Sequence, residues 1–129
     1  VCVVFLSGVF VFFLVLFRRV GADALALDLS GSVKPATLDA LAAHLENGGL
    51  LWWGLLATNP VDVVPRPDVL VERALRLLRP LELPVEIWLE RVVLTPACGL
   101  AGWTPSTAIA SVRVLRETAG VLSEEIGSS

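Results

Sequence analysis

Beyond residue 20 the chain alternates short, mainly apolar runs with longer segments in which apolar residues recur at helical spacing. The short runs are Ala24–Leu27, Leu50–Leu56 and Arg91–Leu94. Runs of this length and composition are typical of strands buried on both faces, as in parallel sheets. A segment with apolar residues at helical spacing follows each of these runs. The pattern therefore predicts an α/β fold of parallel βα units joined by right-handed crossovers.

Local signals set the ends of the predicted helices. Pro35 opens the first helix and Asn47-Gly48-Gly49 ends it. Asp68 is predicted to cap the second helix, and Thr104 is predicted to cap the third, with Pro105 in its first turn. Glu86–Glu90 is consistent with a single helical turn.

Three predicted βα units are too few to close an eight-stranded barrel. An isolated three-stranded parallel sheet would have one face without helices, or an open edge. The sequence therefore predicts part of a TIM (β/α)8 barrel, specifically its C-terminal βα units, which either a partner chain or a longer chain completes.

The first seventeen residues form a separate apolar segment. Val1–Phe17 is interrupted only by Ser7 and Gly8, and Arg18-Arg19 follows it. One interpretation is a buried strand and helix of the same fold, and another is a degenerate N-terminus. A third is a short membrane span with a cytoplasmic arginine flank. A secretory signal is disfavoured because the positive charges follow the apolar run.

Composition narrows the class of protein. The chain has 129 residues, of which 55% are hydrophobic, enough for one domain, which we assign to residues 18–129. Its net charge of -3 and pI near 5.0 argue against a nucleic-acid partner, which needs a basic face. Two cysteines, Cys2 and Cys98, do not form a disulfide framework, and a cytoplasmic location is predicted.

Candidate chemistry lies where the predicted strands end. Asp28 ends the first strand, Thr58-Asn59 follows the second, and Cys98 follows the third. In parallel βα folds these positions share the edge where active sites are built. An oxygen and a sulfur ligand are a combination that zinc accepts, so Asp28 and Cys98 are the predicted metal ligands.

Structural roles remain open for each of these residues. Asp28 is equally suited to organising the turn at Ser30-Gly31. Cys98 is also consistent with a small buried hydrophobic residue. His44, the sole histidine, is predicted at a surface or helix-end position away from the strand ends.

Two segments carry a resemblance to a known family. Thr95-Pro96-Ala97-Cys98-Gly99-Leu100 resembles the last zinc-ligand motif of the cobalamin-independent methionine synthases, and Gly21–Asp28 resembles their strand that ends in an acidic zinc ligand. The closing helix after Trp103-Thr104-Pro105 also fits. The similarity covers roughly Arg18 to Ile126 and is greatest to the shorter, actinobacterial-type relatives.

The resemblance implies a zinc-dependent transfer of a methyl group from a methyl-folate to the thiol of homocysteine. Cys98 and Asp28 would be two of the zinc ligands. The family's other two ligands form a His-x-Cys motif before the acidic strand; Val3–Phe17 contains no such motif, although Cys2 is a candidate for its cysteine. The chain alone is therefore expected to be an incomplete enzyme. The alternative is a small membrane-anchored or interaction protein in which Cys98 is structural.

Overall fold

The computed structural model describes residues 3–6, as backbone only, and residues 19–128. The strands are β1 (Val3–Leu6), β2 (Ala24–Asp28), β3 (Leu50–Leu56) and β4 (Val92–Pro96). The helices are α1 (Pro35–Glu46), α2 (Pro67–Leu78), α3 (Val85–Arg91) and α4 (Pro105–Gly127), with a 3-10 turn at Arg79–Leu81. The protein thus has the α/β organisation that the sequence predicts.

The strands form one open parallel sheet in which spatial order follows chain order, β1-β2-β3-β4. One row of paired residues runs across all four strands: Phe5, Ala26, Trp52 and Val93. A register shift between Gly54 and Leu56 interrupts the pairing of β3 with β4. Each strand pairs with the strand that precedes it in the chain, so β1 and β4 are the edge strands of the described sheet.

The hydrophobic core lies on one face of this sheet. Leu25 and Leu27 from β2 and Leu51, Trp53 and Leu55 from β3 point to this face and are at most 2% exposed. Buried residues of all four helices complete the core: Leu41, Leu45, Leu70, Ala74, Leu78, Trp88, Leu115 and Leu122. The described helices therefore all cover the same side, as successive crossovers of one hand require.

The opposite face of the sheet carries large apolar side chains that stay in contact with solvent. Leu50, Trp52 and Val93 are 37%, 40% and 56% exposed. The small Ala24 and Ala26 of β2 share this side of the sheet but are buried. We call the surface formed by Leu50, Trp52 and Val93 the open face, because no described helix packs on it.

Two helix predictions needed correction. The second helix begins at Pro67, with Arg66 as the N-cap residue and no side-chain cap, so the predicted capping role of Asp68 was wrong. Asp68 lies in the first turn, where its carboxylate pairs with Arg66 at 3.0 Å. The segment around Glu86–Glu90 forms the full helix α3 rather than a single turn.

The apolar N-terminal segment is only partly covered. Val3–Leu6 is the strand β1, which pairs with β2. The remainder of Val1–Phe17, on which the membrane-span interpretation depends, lies outside the described residues. Among the residues that are described, no helix combines the length and hydropathy needed to cross a bilayer.

Candidate functional site at the carboxyl edge of the sheet

The ends of β2, β3 and β4 meet at one edge of the sheet. Asp28 is the last residue of β2, Thr58 and Asn59 follow β3 closely, and Cys98 lies two residues beyond β4. Because the strands are parallel, all three loops leave from the same edge. The structure therefore places both predicted metal ligands at the edge that the sequence indicated.

Gly54 draws the two ligand-bearing segments together. A Cβ on Gly54 would lie 2.7 Å from the Ala97 Cα and 3.3 Å from the Asp28 Cα. Both backbones therefore approach one point above β3, and Ala97 is the residue next to Cys98. Two hydrogen bonds fix this arrangement: the amide of Leu29 donates to the Gly54 carbonyl at 3.0 Å, and the amide of Ala97 donates to the Leu56 carbonyl at 2.8 Å. Only a residue without a side chain allows this approach.

Asp28 organises the turn that follows β2. Its Oδ1 accepts hydrogen bonds from the Ser30 amide at 3.0 Å and from the Ser30 hydroxyl at 2.6 Å. This is the turn role that the sequence left open. Asp28 is exposed, and among the described residues both of its hydrogen bonds use Oδ1. The Oδ2 atom can therefore still act as a ligand.

Cys98 is an exposed free thiol. The alternative interpretation of this residue as a buried hydrophobic side chain was wrong. Its neighbour Ala97 is buried instead, at 4% exposure, where the chain turns over the end of β3. The thiol is therefore held at the rim of the sheet by a fixed backbone and faces solvent.

The donor set around this rim does not amount to a zinc site. Zinc takes four ligands in structural sites and three protein ligands in catalytic ones. In the part of the chain that the structure describes, no group of three or more His, Cys, Asp and Glu residues is placed to hold a metal. Asp28 and Cys98 alone do not fit zinc as its complete ligand set.

A second polar cluster, centred on Asp62, lies between the loop after β3 and the start of α4. The Asp62 carboxylate accepts hydrogen bonds from the Thr104 amide at 2.8 Å, from the Thr104 hydroxyl at 3.3 Å and from the Thr107 hydroxyl. These bonds, that from Thr107 first, lower the pKa of Asp62 below its ordinary value of 3.8. The Trp103 indole also donates to the Thr58 carbonyl at 3.3 Å.

Asp62 thus holds the start of α4 from a distant part of the chain. Thr104 occupies the N-cap position, but its own side chain makes no capping hydrogen bond to the helix. The predicted helix start is confirmed, but the predicted side-chain cap is absent; Asp62 instead holds the N-cap residue and the first-turn Thr107 through their amide and hydroxyl groups. Sequence reasoning missed this residue because its partners lie 42 and 45 residues further along, so no local spacing connects them.

His44 lies far from this rim, as predicted, but it is not a surface residue. It is in the last turn of α1, is 4% exposed, and its Nε2 lies 2.9 Å from the Leu50 carbonyl at the start of β3. A Cβ on Gly49 would lie 2.1 Å from the His44 ring, so the glycine leaves room for the imidazole. His44 therefore connects a helix end to the amino edge of the sheet.

Comparison with models of known protein families, with curated proteins and with solved structures gives no match for this chain.

Proposed function

We propose that this chain is a C-terminal βα portion of a zinc-dependent methyltransferase barrel, of the type that moves a methyl group from a methyl-folate to the homocysteine thiol. In this proposal Asp28 and Cys98 are two ligands of a zinc site whose other ligands come from outside the described residues. The resemblance of Gly21–Asp28 and Thr95–Leu100 to the methionine synthase motifs is the origin of the proposal.

The approach of the Asp28 and Ala97 backbones over Gly54 is the observation that carries the proposal. Ligands from different strands can share one metal only if the strand ends are close. The Asp28 and Ala97 α-carbons both lie within 3.3 Å of one point, so the acidic residue and the cysteine segment meet this requirement. Both side chains are exposed at the same rim, which leaves them accessible to a metal.

The sheet topology supports a portion of a barrel. In a (β/α)8 barrel, neighbouring strands follow chain order, all strands are parallel and all helices lie outside. The four described strands and the helices on one face have this organisation. The open face would then be part of a barrel interior, which explains why Leu50, Trp52 and Val93 are apolar.

The chemistry assigned to this chain is limited to supplying and holding two donors. A thiolate and a carboxylate suit zinc, and zinc bound by a full ligand set lowers the pKa of a coordinated thiol. Two protein ligands are not such a set. We therefore expect the chain alone not to transfer methyl groups, because the described residues do not contain a full set of metal ligands.

Cobalt(II) titration tests the ligand assignment, because cobalt takes zinc sites and its bond to a thiolate gives a charge-transfer absorption. We expect the 129-residue chain to show this band, Cys98→Ser to abolish it and Asp28→Asn to weaken it. Asp68→Asn is the matched control, since Asp68 is an exposed carboxylate paired with Arg66 on α2. A spectrum unchanged by Cys98→Ser, or no thiolate band at millimolar cobalt, would contradict the proposal.

The open face favours a second candidate, an interaction protein. Exposed apolar side chains on both β3 and β4 form a surface suited to another polypeptide. In that case Cys98 would have no metal role, and the cobalt spectrum would show no dependence on it. The two candidates are thus separated by the same titration.

A further inference from the structure

The loop that joins β2 to α1 lines an open cleft at the carboxyl edge of the sheet. The cleft has a volume of about 380 Å³, and the polar residues that line it include Asp28, Ser30, Ser32, Lys34 and Thr37. Small-molecule pockets commonly measure about 300–1,000 Å³. In open parallel sheets, ligands bind outside the carboxyl ends of the strands. The cleft therefore has both the position and the size of a ligand site.

A buried hydroxyl without a partner faces this cleft. Thr37 lies in the first turn of α1, lines the cleft and is only 3% exposed. Its amide donates to the Lys34 carbonyl at 3.0 Å, but its hydroxyl forms no hydrogen bond with the described residues. Among those residues, Trp53 Nε1 is the single side-chain N or O atom that is both unpartnered and sealed from solvent. The Thr37 hydroxyl oxygen therefore keeps contact with the cleft, and because buried polar groups normally have a partner, it points to a ligand.

Backbone amides of the same loop are also free to donate. The Asp28 carboxylate accepts from the Ser30 amide at 3.0 Å, but the amides of residues 31–34 form no hydrogen bond with the described residues. All four of these residues line the cleft. Lys34 is the N-cap residue of α1, and no side chain caps this helix end. Unsatisfied amides beside a helix N-terminus favour an anion, because the positive end of the helix dipole adds to their effect.

The charged groups around the cleft also favour an anion. Lys34 is the only lysine of the chain, and its exposed side chain lies at the cleft. Asp28 is the only acidic residue among the described residues that line the cleft, and its Oδ1 already accepts from the Ser30 amide and hydroxyl. Hydrogen-bond donors therefore outnumber acceptors at this site.

We propose that this cleft binds a phosphate group, either as the free ion or as the end of a small phosphorylated metabolite. A phosphate offers three strong acceptor oxygens, which suit a set of amides, hydroxyls and an ammonium better than the two oxygens of a carboxylate do. The amides of residues 31–34 and the Thr37 hydroxyl would hold these oxygens, and Lys34 would offset their charge. The inference goes beyond methyl transfer and does not depend on zinc or on Cys98.

Titration with inorganic phosphate tests the site, followed by amide NMR on the 129-residue chain in a metal chelator at constant ionic strength. We expect the amides of residues 31–34 and of Thr37 to shift and to saturate at millimolar phosphate, whereas chloride leaves them unchanged. Because the chelator removes any metal, failure here and failure of the cobalt titration are separate results. No saturating shift at these amides would overturn the proposal.

Glycerol 3-phosphate distinguishes the two sources of the phosphate group. Binding at least threefold tighter than that of inorganic phosphate would assign the cleft to an organic phosphate, and equal binding would assign it to the free ion. Failure of both compounds to bind would contradict the site itself.

A matched pair of threonine variants tests the buried hydroxyl. Thr37→Val is expected to weaken phosphate binding at least fivefold without lowering the urea midpoint, because no hydrogen bond within the protein is lost. Thr118→Val is the control, since Thr118 is equally buried but its hydroxyl donates to the Val114 carbonyl at 2.7 Å. This control should lower the midpoint and leave phosphate binding unchanged. Parent-like binding by Thr37→Val would overturn the assignment.

Charge variants complete the test. Lys34→Gln should weaken phosphate binding at least tenfold, while Arg79→Gln, at an exposed cation beyond the end of α2, should bind like the parent chain. Asp28→Asn should strengthen binding, because it removes a negative charge from the cleft and keeps an oxygen for Ser30. Weaker binding by Asp28→Asn, or parent-like binding by Lys34→Gln, would overturn the proposal.

Discussion

Trp52 and Trp53 are neighbours in the chain, yet they belong to opposite environments. Trp53 is 2% exposed beneath the helices, 6.3 Å from the Trp88 ring, whereas Trp52 is 40% exposed on the open face. Strand geometry alone separates them, because successive side chains point to opposite faces. The comparison teaches that a uniformly apolar strand predicts two apolar faces, while the described helices cover only one of them.

Replacement of the two tryptophans is the strongest test of this difference. Trp53→Ala is expected to lower the free energy of unfolding by about 3–5 kcal/mol, because it leaves a large cavity in the core. Trp52→Ala should cost clearly less than Trp53→Ala, since Trp52 is 40% exposed and less buried apolar area is lost. Urea denaturation measures both. Equal losses for the two variants would show that the faces are equally covered.

Substitution of Gly54 tests how closely the neighbouring backbones approach β3 at the carboxyl edge of the sheet. The methyl group of Gly54→Ala would meet the Ala97 and Leu27 backbones at 2.7 Å, so β2 or β4 must shift. We expect a loss of about 1–3 kcal/mol, the range for overpacking. The control is Gly31→Ala, because a Cβ at Gly31 has no neighbour within 4 Å. Thermal or urea unfolding of both variants checks the contrast, and equal stability would refute the close approach.

Asp62 provides a pH-dependent test at the start of α4, where its carboxylate accepts hydrogen bonds from Thr104 and Thr107. Because its pKa is lowered from 3.8, its contribution to stability is present above pH 3.8 and is lost as the pH falls through the lowered value. The stability gap between the parent chain and Asp62→Asn should therefore be constant near neutral pH and shrink in acid. Urea midpoints measured across that range give the gap.

Thr107 supplies the control for the same effect, because its hydroxyl is the largest cause of the lowered pKa. Thr107→Val should raise the pKa of Asp62 toward its ordinary value, whereas Thr107→Ser keeps the hydroxyl and should preserve most of the shift. Side-chain carboxyl NMR follows the titration directly. An identical Asp62 titration in both variants would remove Thr107 from the explanation.

The smallest expected effect comes from the hydrogen-bond donor of Trp53 rather than from the volume of its side chain. Its indole Nε1 is buried and, within the described residues, has no hydrogen-bond partner. Trp53→Phe removes this unsatisfied donor, which should stabilise the fold. It also replaces the indole by a smaller aromatic ring, which should destabilise the fold, so the two effects should largely offset each other. We expect a change within about 1 kcal/mol, far from the cost of the alanine variant. A loss as large as that of Trp53→Ala would show that the whole indole is needed.

Most of the element order was predictable because it depends on local patterns. The strand at Leu50–Leu56 was predicted with the observed bounds, and the helix starts at Pro35 and Thr104-Pro105 were also correct. The positions of Asp28 and Cys98 at one edge followed from strand direction. Each of these inferences needs only residues that are close in sequence, together with the rule that parallel strands end at the same edge.

What could not be predicted depends on contacts between distant segments. The burial of His44 arises from its contact with the Leu50 carbonyl, and the role of Asp62 arises from Thr104 and Thr107. Gly54 was not singled out, because its importance comes from the approach of two other strands. The local signal for Asp68 as a cap was outweighed by Pro67, which already occupies the first helical position.

The order of the strands has a consequence for how the chain is made. Each strand pairs with the one synthesised just before it, so no later strand must be inserted between two that already pair. Successive βα units can therefore dock as they leave the ribosome, each on a template that is already complete. Among the described strands β4 is made last, and its outer edge has no neighbour among them, so its backbone groups remain able to pair with another strand.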